Sequence, residues 1–295
     1  MTPDEPLDHF ADRLAAATRA KRTPACVGLD PVVERLPEPL RQGAGDGAEA
    51  VESFSLGVLA AVEGAVGVVK VQSACFERFG AEGLTAMRRV IGRAHEYGLV
   101  VILDAKRGDI GVSAAHYAAF AFGAMDADAV TVNASLGADT LEPYLAPEHA
   151  GRGVFVLVRT SNPGSDGVQS KVLIDGRSVA EMTADLVANV AAGRMGACGL
   201  SDVGAVVAAT KPADARALRE RLPRSWILVP GFGAQGGTPE TVRDLFRADG
   251  SGAIVTASRS VIYAFEGAGG DWRAAVRDAA ARFARQIAGL AHPAD

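Results

Sequence analysis

Short, unbroken apolar runs rich in β-branched residues recur along the chain, separated by longer stretches whose apolar residues fall three or four positions apart. Eight such runs stand out: Ala25–Asp30, Val66–Val71, Val100–Asp104, Ala129–Asn133, Val154–Arg159, Ala205–Ala209, Trp226–Pro230 and Ala253–Ala257. A run without in/out alternation marks a strand covered on both faces, as in a parallel sheet. The stretches between them read as amphipathic helices. Their apolar stripes are Val51, Phe54, Val58, Leu59 and Val62; Leu84, Met87, Val90 and Ile91; Val179, Met182, Leu186 and Val190; and Trp272, Val276, Ala280, Phe283 and Ile287. Thr238-Pro239-Glu240 reads as a helix start, with Thr as cap and Pro in the first turn. A further helix, from Leu7 to about Ala20, precedes the first strand and is expected to cover the N-terminal mouth of the fold.

Eight alternating strand–helix units predict an α/β fold: a closed (β/α)8 TIM barrel with an additional N-terminal helix. With 295 residues, 48% hydrophobic content and no Pro/Ser-rich or charged divide, residues 1–295 read as a single domain. The alternative is an open, Rossmann-like sheet, superficially supported by Gly231-Phe232-Gly233-Ala234-Gln235-Gly236. That fingerprint belongs at the first strand–helix turn, whereas this one follows the seventh strand. Two connections are long for a barrel: Pro31 to about Ala48, and Thr160 to about Arg177. Long loops at the C-terminal face are where lids and binding groups sit.

Charge narrows the function classes. A net charge of −5 with scattered basic residues argues against a nucleic-acid surface, which needs clustered Lys and Arg. The start, Met1-Thr2-Pro3-Asp4-Glu5, is acidic with no apolar segment behind it, unlike a signal or transit peptide. No apolar stretch approaches the roughly 18 residues of a membrane span. Cys26, Cys75 and Cys198 are far apart and outside any CxxC pairing, as expected of reduced, inert thiols in a cytoplasmic protein.

Reactive groups of barrels collect at strand C-termini. Strand one ends in Asp30, strand two in Lys70-Val71-Gln72, and strand three in Asp104, Lys106 and Asp109. Strand five ends in Arg159-Thr160-Ser161-Asn162, strand six in Thr210-Lys211, strand seven in Pro230-Gly231 and strand eight in Ser258-Arg259-Ser260. Alternation along an extended strand would point Asp104 and Lys106 the same way. A carboxylate beside an ammonium in a concave site can repel a substrate anion while offering a proton to the atom that loses it, which is chemistry for a decarboxylation. A structural ion-pair network is the bland alternative, but these charges all fall at one mouth. Gly231, Gly233, Gly236 and Gly237 free backbone N–H groups for an anion, and Gln235 and Arg259 add donors, in the loops where barrels bind phosphate. Tight turns alone are the competing reading of those glycines. His9, His95, His116, His149 and His292 lack ligand spacing, so no metal is expected. No GxSxG is present.

With these residues assembled, the chain resembles the orotidine 5'-phosphate decarboxylases, particularly their longer bacterial (type 2) subgroup, from about Ala25 to Tyr263. The central motif stands as Asp104-Ala105-Lys106-Arg107-Gly108-Asp109-Ile110. Its DxKxxD core is shared with sugar-phosphate relatives. Thr160-Ser161-Asn162-Pro163-Gly164, Pro230-Gly231-Phe232-Gly233-Ala234-Gln235-Gly236 and Ser258-Arg259-Ser260 match the subgroup.

The resemblance implies cofactor-independent conversion of orotidine 5'-monophosphate to UMP and CO2 in de novo pyrimidine biosynthesis by a carboxy-lyase. It implies catalytic roles for Lys70, Asp104, Lys106 and Asp109. Lys106 would protonate C6, Asp104 would lie beside the substrate carboxylate, and Asp30 and Lys70 would contact the ribose. Asp109 would cross into the neighbouring subunit's site of a homodimer, and Ile110 and Ser113 would be substrate-binding. Ser161 would hydrogen-bond the pyrimidine amide edge, Gln235 and Arg259 would grip the phosphate, and Asn162, Pro230, Gly233 and Ser258 would be further substrate-binding residues. The family usually carries Thr where this chain has Ser113, which keeps the hydroxyl but loses a methyl. Two alternatives stay open: a metal-dependent sugar-phosphate decarboxylase or aldolase of the same superfamily, which would need an acidic ligand near strand two, and a non-catalytic phosphate-binding barrel.

Overall fold

The computed structural model describes residues 9–43, 47–232, 236–267 and 269–292. Eight parallel strands pair in sequence order, and the eighth returns to the first to close a barrel. They are β1 (Ala25–Leu29), β2 (Val68–Gln72), β3 (Val100–Arg107), β4 (Ala129–Val132), β5 (Gly153–Arg159), β6 (Ser201–Val207), β7 (Ser225–Val229) and β8 (Ala253–Ala257). Every expected strand is present, and closure excludes the open sheet. β6 begins four residues before the apolar run that predicted it. Its first residues are polar yet buried because they are satisfied: Asp202 accepts from Arg194 at 3.0 and 2.7 Å, and the Ser201 hydroxyl accepts the Val203 N–H.

The strands are apolar on both sides because two cores meet at the barrel wall. Val27, Leu29, Val69, Val71, Val101 and Leu103 face outward against the helices. Cys26, Val68, Ile102, Phe155, Trp226, Leu228 and Ile254 fill the interior. The helices Gly47–Val62, Gly80–Glu96, Val179–Ala191 and Trp272–Ala291 coincide with the predicted apolar stripes. Ser178 and Glu181 form a reciprocal capping box, and Thr238 caps the helix Pro239–Leu245. One stripe needs correction. The helix Val179–Ala191 turns Ala180, Ala184, Val187 and Ala191 inward and leaves Met182 39% exposed. Small residues let it lie close to β5 and β6, a packing preference that a hydrophobicity pattern does not reveal.

The N-terminal helix runs from Phe10 to Lys21 and plugs the N-terminal mouth, as expected. Phe10, Ala11, Leu14 and Ala15 join the interior cluster, and Phe10 meets Phe155 edge to face at 6.1 Å. Gly153 makes room for this contact, since a Cβ there would lie 2.2 Å from the Phe10 ring. Asp12 accepts the N–H groups of Ala197 and Cys198 at 2.9 and 2.7 Å, and Arg13 donates to Asp128 at 2.8 Å. Among the described residues no helix is long and apolar enough to cross a membrane.

Candidate active site

The inward-facing positions of each strand form an i, i+2 series that starts apolar and ends in chemistry. β1 runs Cys26, Gly28, Asp30; β2 runs Val68, Lys70, Gln72; β3 runs Ile102, Asp104; β4 runs Ala129, Thr131; and β8 runs Ile254, Thr256, Ser258. The polar ends line a cavity of about 210 Å³ at the C-terminal mouth, walled also by Leu157, Val206, Leu228, Pro230 and Arg259. The barrel floor is apolar and its mouth is polar because the same parity of residue changes character along each strand.

Four charges alternate across this mouth. The Lys70 ammonium lies 3.5 Å from Asp30 Oδ1 and 2.7 Å from Asp104 Oδ2, and the Lys106 ammonium lies 2.6 Å from Asp104 Oδ1. Gln72 and Thr131 add hydrogen bonds to Asp104 at 3.3 and 2.9 Å, so each carboxylate oxygen accepts two donors. Burial opposes the charged form of Asp104, but Lys70 and Lys106 overcome that and hold its carboxyl well below the usual range. Burial likewise opposes the charge on Lys70, and Asp104 and Asp30 reverse the effect, raising it above an ordinary lysine. The pair therefore stays ionised across the physiological range. Lys106 differs in exposure: 46% of its side chain is open to the cavity mouth, against 7% for Lys70. Asp30 Oδ1 is buried against the Lys70 ammonium, while the Asp30 side chain as a whole keeps 31% of its surface exposed. Tyr263 secures this strand end by donating to the Asp30 carbonyl at 3.1 Å and accepting the Val32 N–H at 2.7 Å.

Asp104 and Lys106 meet by a different route from simple alternation. β3 pairs Leu103 with Val130 and next Arg107 with Val132, so three residues of β3 face one residue of β4. The strand bulges, and Lys106 takes the left-handed conformation at φ +48°. That conformation is uncommon for a residue other than glycine.

The remaining wall is built from β5 to β8. Gly28 lets Ser258 approach, because a Cβ at Gly28 would lie 2.0 Å from the Ser258 hydroxyl. Ser161 and Thr160 line the cavity from the loop after β5. Arg159 does not: it is 3% exposed and turns away, donating to Asp214 at 2.5 Å, to Ser165 and Ser170 at 2.8 Å, and to Asp166. Lys211 joins the same knot, 2.7 Å from Asp166.

Of the predicted site residues, Asp30, Lys70, Asp104, Lys106, Ser161, Pro230, Ser258 and Arg259 line one cavity. Asn162 does not. It is exposed, accepts the Thr160 hydroxyl at 2.7 Å, and leads into the short 3-10 turn Pro163–Gly167, which carries its side chain outward. Asp109, Ile110 and Ser113 also lie outside this chain's own cavity; Asp109 accepts the Ile110 N–H, and Ile110 is 58% exposed. Gly233 and Gln235 fall outside the described residues. Thr131, Gln72 and Thr256 line the site without having been singled out as binding residues. The sequence does not mark Thr131, because a β-branched residue in an apolar run looks like core.

The three cysteines are free thiols. Burial pushes Cys26 up to about 12 and Cys75 and Cys198 up to about 11, so all three are poor thiolates. Among the described residues no group of three or more His, Cys, Asp or Glu side chains could hold a metal ion.

A closed (β/α)8 barrel with an alternating array of lysines and carboxylates at the carboxyl ends of its first three strands has the layout of barrel enzymes. The sequence model of the Orotidine 5'-phosphate decarboxylase / HUMPS family matches residues 24–269, and the chain belongs to that family. It is 40% identical to the orotidine 5'-phosphate decarboxylase of Rhodopirellula baltica over 300 residues, covering 95% of this chain and 99% of the relative. It is 41% identical to the enzyme of the same name from a Roseiflexus species over 278 residues, covering 92% of this chain and 95% of the relative. The solved structure of Leishmania donovani OMP decarboxylase shares the fold at a TM-score of 0.79 and 33% identity, covering 97% of this chain and 100% of that one.

Proposed function

We propose that this protein is a carboxy-lyase that converts orotidine 5'-monophosphate to UMP and CO2 in pyrimidine biosynthesis, without a cofactor. The observation that carries this reading is the Lys106 ammonium, held 2.6 Å from a buried, ionised Asp104 at the open end of the cavity. Loss of CO2 from C6 breaks the bond between C6 and its carboxylate carbon and leaves the electron pair on C6, in the ring plane and without a π-system to absorb it. A fixed cation where that charge develops stabilises the transition state, and the same ammonium donates the proton that completes UMP. Asp104 beside the substrate carboxylate raises the energy of the bound state and is relieved as neutral CO2 departs.

The other roles follow from position. Asp30 accepts from the ribose hydroxyls and Lys70 donates to them, since both side chains line the cavity. Ser161 addresses the pyrimidine amide edge, and Arg259, with Ser258 and Pro230, surrounds the phosphate; the family resemblance assigns Gly233 and Gln235 to the same group. Binding energy from the phosphate and ribose, far from C6, is then available to draw the loop 161–176 over the base. Asp109, Ile110 and Ser113 complete the site of a second copy in a homodimer, a reading supported by their place outside this chain's own cavity and by the 58% exposure of Ile110. The single barrel unit of residues 1–295 acts in the cytoplasm on a small nucleotide, with no nucleic-acid or membrane partner. The metal-dependent alternative is disfavoured by Lys70, whose ammonium fills the space between Asp30 and Asp104 that a cation would need.

The test is a spectrophotometric assay of the purified protein with orotidine 5'-monophosphate, with and without EDTA. Turnover that survives EDTA in the wild type and disappears in Lys106→Ala, with nucleotide binding retained, is expected. Near-wild-type turnover by Lys106→Ala would refute the mechanism.

A further inference from the structure

The bulge in β3 creates a local problem with a specific solution. Between the Leu103–Val130 and Arg107–Val132 pairs, the backbone of Asp104, Ala105 and Lys106 faces only Thr131, so the regular ladder cannot supply a partner for every N–H. The Lys106 N–H is satisfied instead by the Thr131 side-chain hydroxyl at 2.9 Å. That hydroxyl has one proton, and it goes to Asp104 Oδ1 at 2.9 Å, because an ionised carboxylate only accepts. Lys106 Nζ donates to the same oxygen at 2.6 Å. One hydroxyl, 1% exposed as part of Thr131, thus ties together the left-handed backbone of Lys106 and the orientation of the carboxylate that holds its ammonium.

We infer that Thr131 is a positioning residue for the proposed decarboxylation: its hydroxyl locks the β3 bulge and so sets where the Lys106 ammonium stands relative to Asp104. This inference rests on the functional reading above. Valine in place of Thr131 keeps the branched shape and removes both hydrogen bonds. Lys106 N–H then loses its partner, Asp104 loses one of four donors, and the bulge is free to relax toward regular pairing, which would swing the ammonium away. Contacts that hold the distant phosphate are untouched, so the effect falls on the chemical step.

The experiment compares wild type, Thr131→Val, Thr131→Ser and Thr131→Ala by steady-state kinetics with orotidine 5'-monophosphate and by thermal melting. Thr131→Val is expected to lower kcat about 10- to 100-fold, the range for losing a hydrogen bond to a charged group. KM should stay within about threefold, and Thr131→Ser, which keeps the hydroxyl, should recover most of the rate. If Thr131→Val does not fold, the comparison of Thr131→Ser with Thr131→Ala decides in the same way. An unchanged kcat in the hydroxyl-free variant, a loss confined to KM, or a serine variant as slow as the hydroxyl-free one would overturn the inference. Absence of turnover in the wild type would instead overturn the functional reading, and this inference with it.

Discussion

Replacing Lys70 with methionine removes a buried cation while keeping the aliphatic stem, and leaves Asp104 and Asp30 to find other partners. Asp104 would retain Lys106 at 2.6 Å, Thr131 at 2.9 Å and Gln72 at 3.3 Å, so one oxygen stays fully served and the other keeps a single weak donor. Breaking a buried ion pair from one side costs about 3–5 kcal/mol. The surviving contacts argue for the lower end, about 3 kcal/mol, and a melting temperature lower by roughly 5–10 °C for a chain of this size. The penalty should depend on pH. In the wild type Asp104 is held below its ordinary value, so its stabilising contribution is present above the unfolded pKa and is lost only as pH falls through the depressed folded value. In Lys70→Met the carboxyl rises toward or above its unfolded value, so the folded state takes up a proton sooner, and the deficit should shrink between pH 8 and pH 4. Adding Asp104→Asn to Lys70→Met should recover part of the lost stability, because the most deeply buried of the remaining charges is removed while Asp30 and Lys106 keep 31% and 46% of their side chains in contact with water. The assay is chemical unfolding of wild type, both single variants and the double variant at pH 4, 6 and 8. A Lys70→Met variant as stable as wild type, or a deficit that is the same at pH 4 and pH 8, would refute this account of the array.

Arg259→Ala should mainly raise KM for the nucleotide, with a smaller change in kcat, as expected when uniform binding to a remote phosphate is lost; steady-state kinetics read the split. Mixing inactive Lys106→Ala subunits with inactive Asp109→Ala subunits should restore part of the activity, since one hybrid site would be complete; no recovery would count against a shared-site dimer. Gly153→Ala should destabilise the barrel by about 1–3 kcal/mol through overpacking against Phe10, and the penalty should fall in a Phe10→Ala background, as measured by thermal melts. Arg159→Met should loosen the loop that carries Ser161, seen as faster proteolysis between residues 160 and 177 and a higher KM.

The strands were legible because each is buried on both faces, so its sequence is an apolar run with a charged or polar end. The charged members of the site were legible for the same reason: Asp30, Lys70 and Asp104 interrupt those runs at the one end where a barrel places its chemistry. What was not legible depended on contacts between distant segments. Nothing near Lys106 announces a bulge, since the residue at φ +48° is a lysine and not a glycine. Thr131 reads as core until the bulge gives its hydroxyl two partners. Arg159 stands at a strand end like Asp30, yet Asp214 and Asp166, 55 and 7 residues further on, turn it away from the cavity. Asn162 lies in a matched motif, but a local turn sends it outward. Parity along a strand predicts direction well, and it fails where a bulge, a turn or a strong ion pair intervenes.

The plug at the bottom of the barrel has a bearing on how the protein is made. Phe10 and Leu14 emerge from the ribosome before the strands of the barrel, but the cluster that receives them includes Trp226, Leu228 and Ile254, which belong to its last two strands. For most of translation the first helix therefore carries an apolar face with no matching seat. A nascent chain stalled short of β8 would display that face, so truncated products should be the species that chaperones capture and that aggregate, while the finished chain hides it in one closing step.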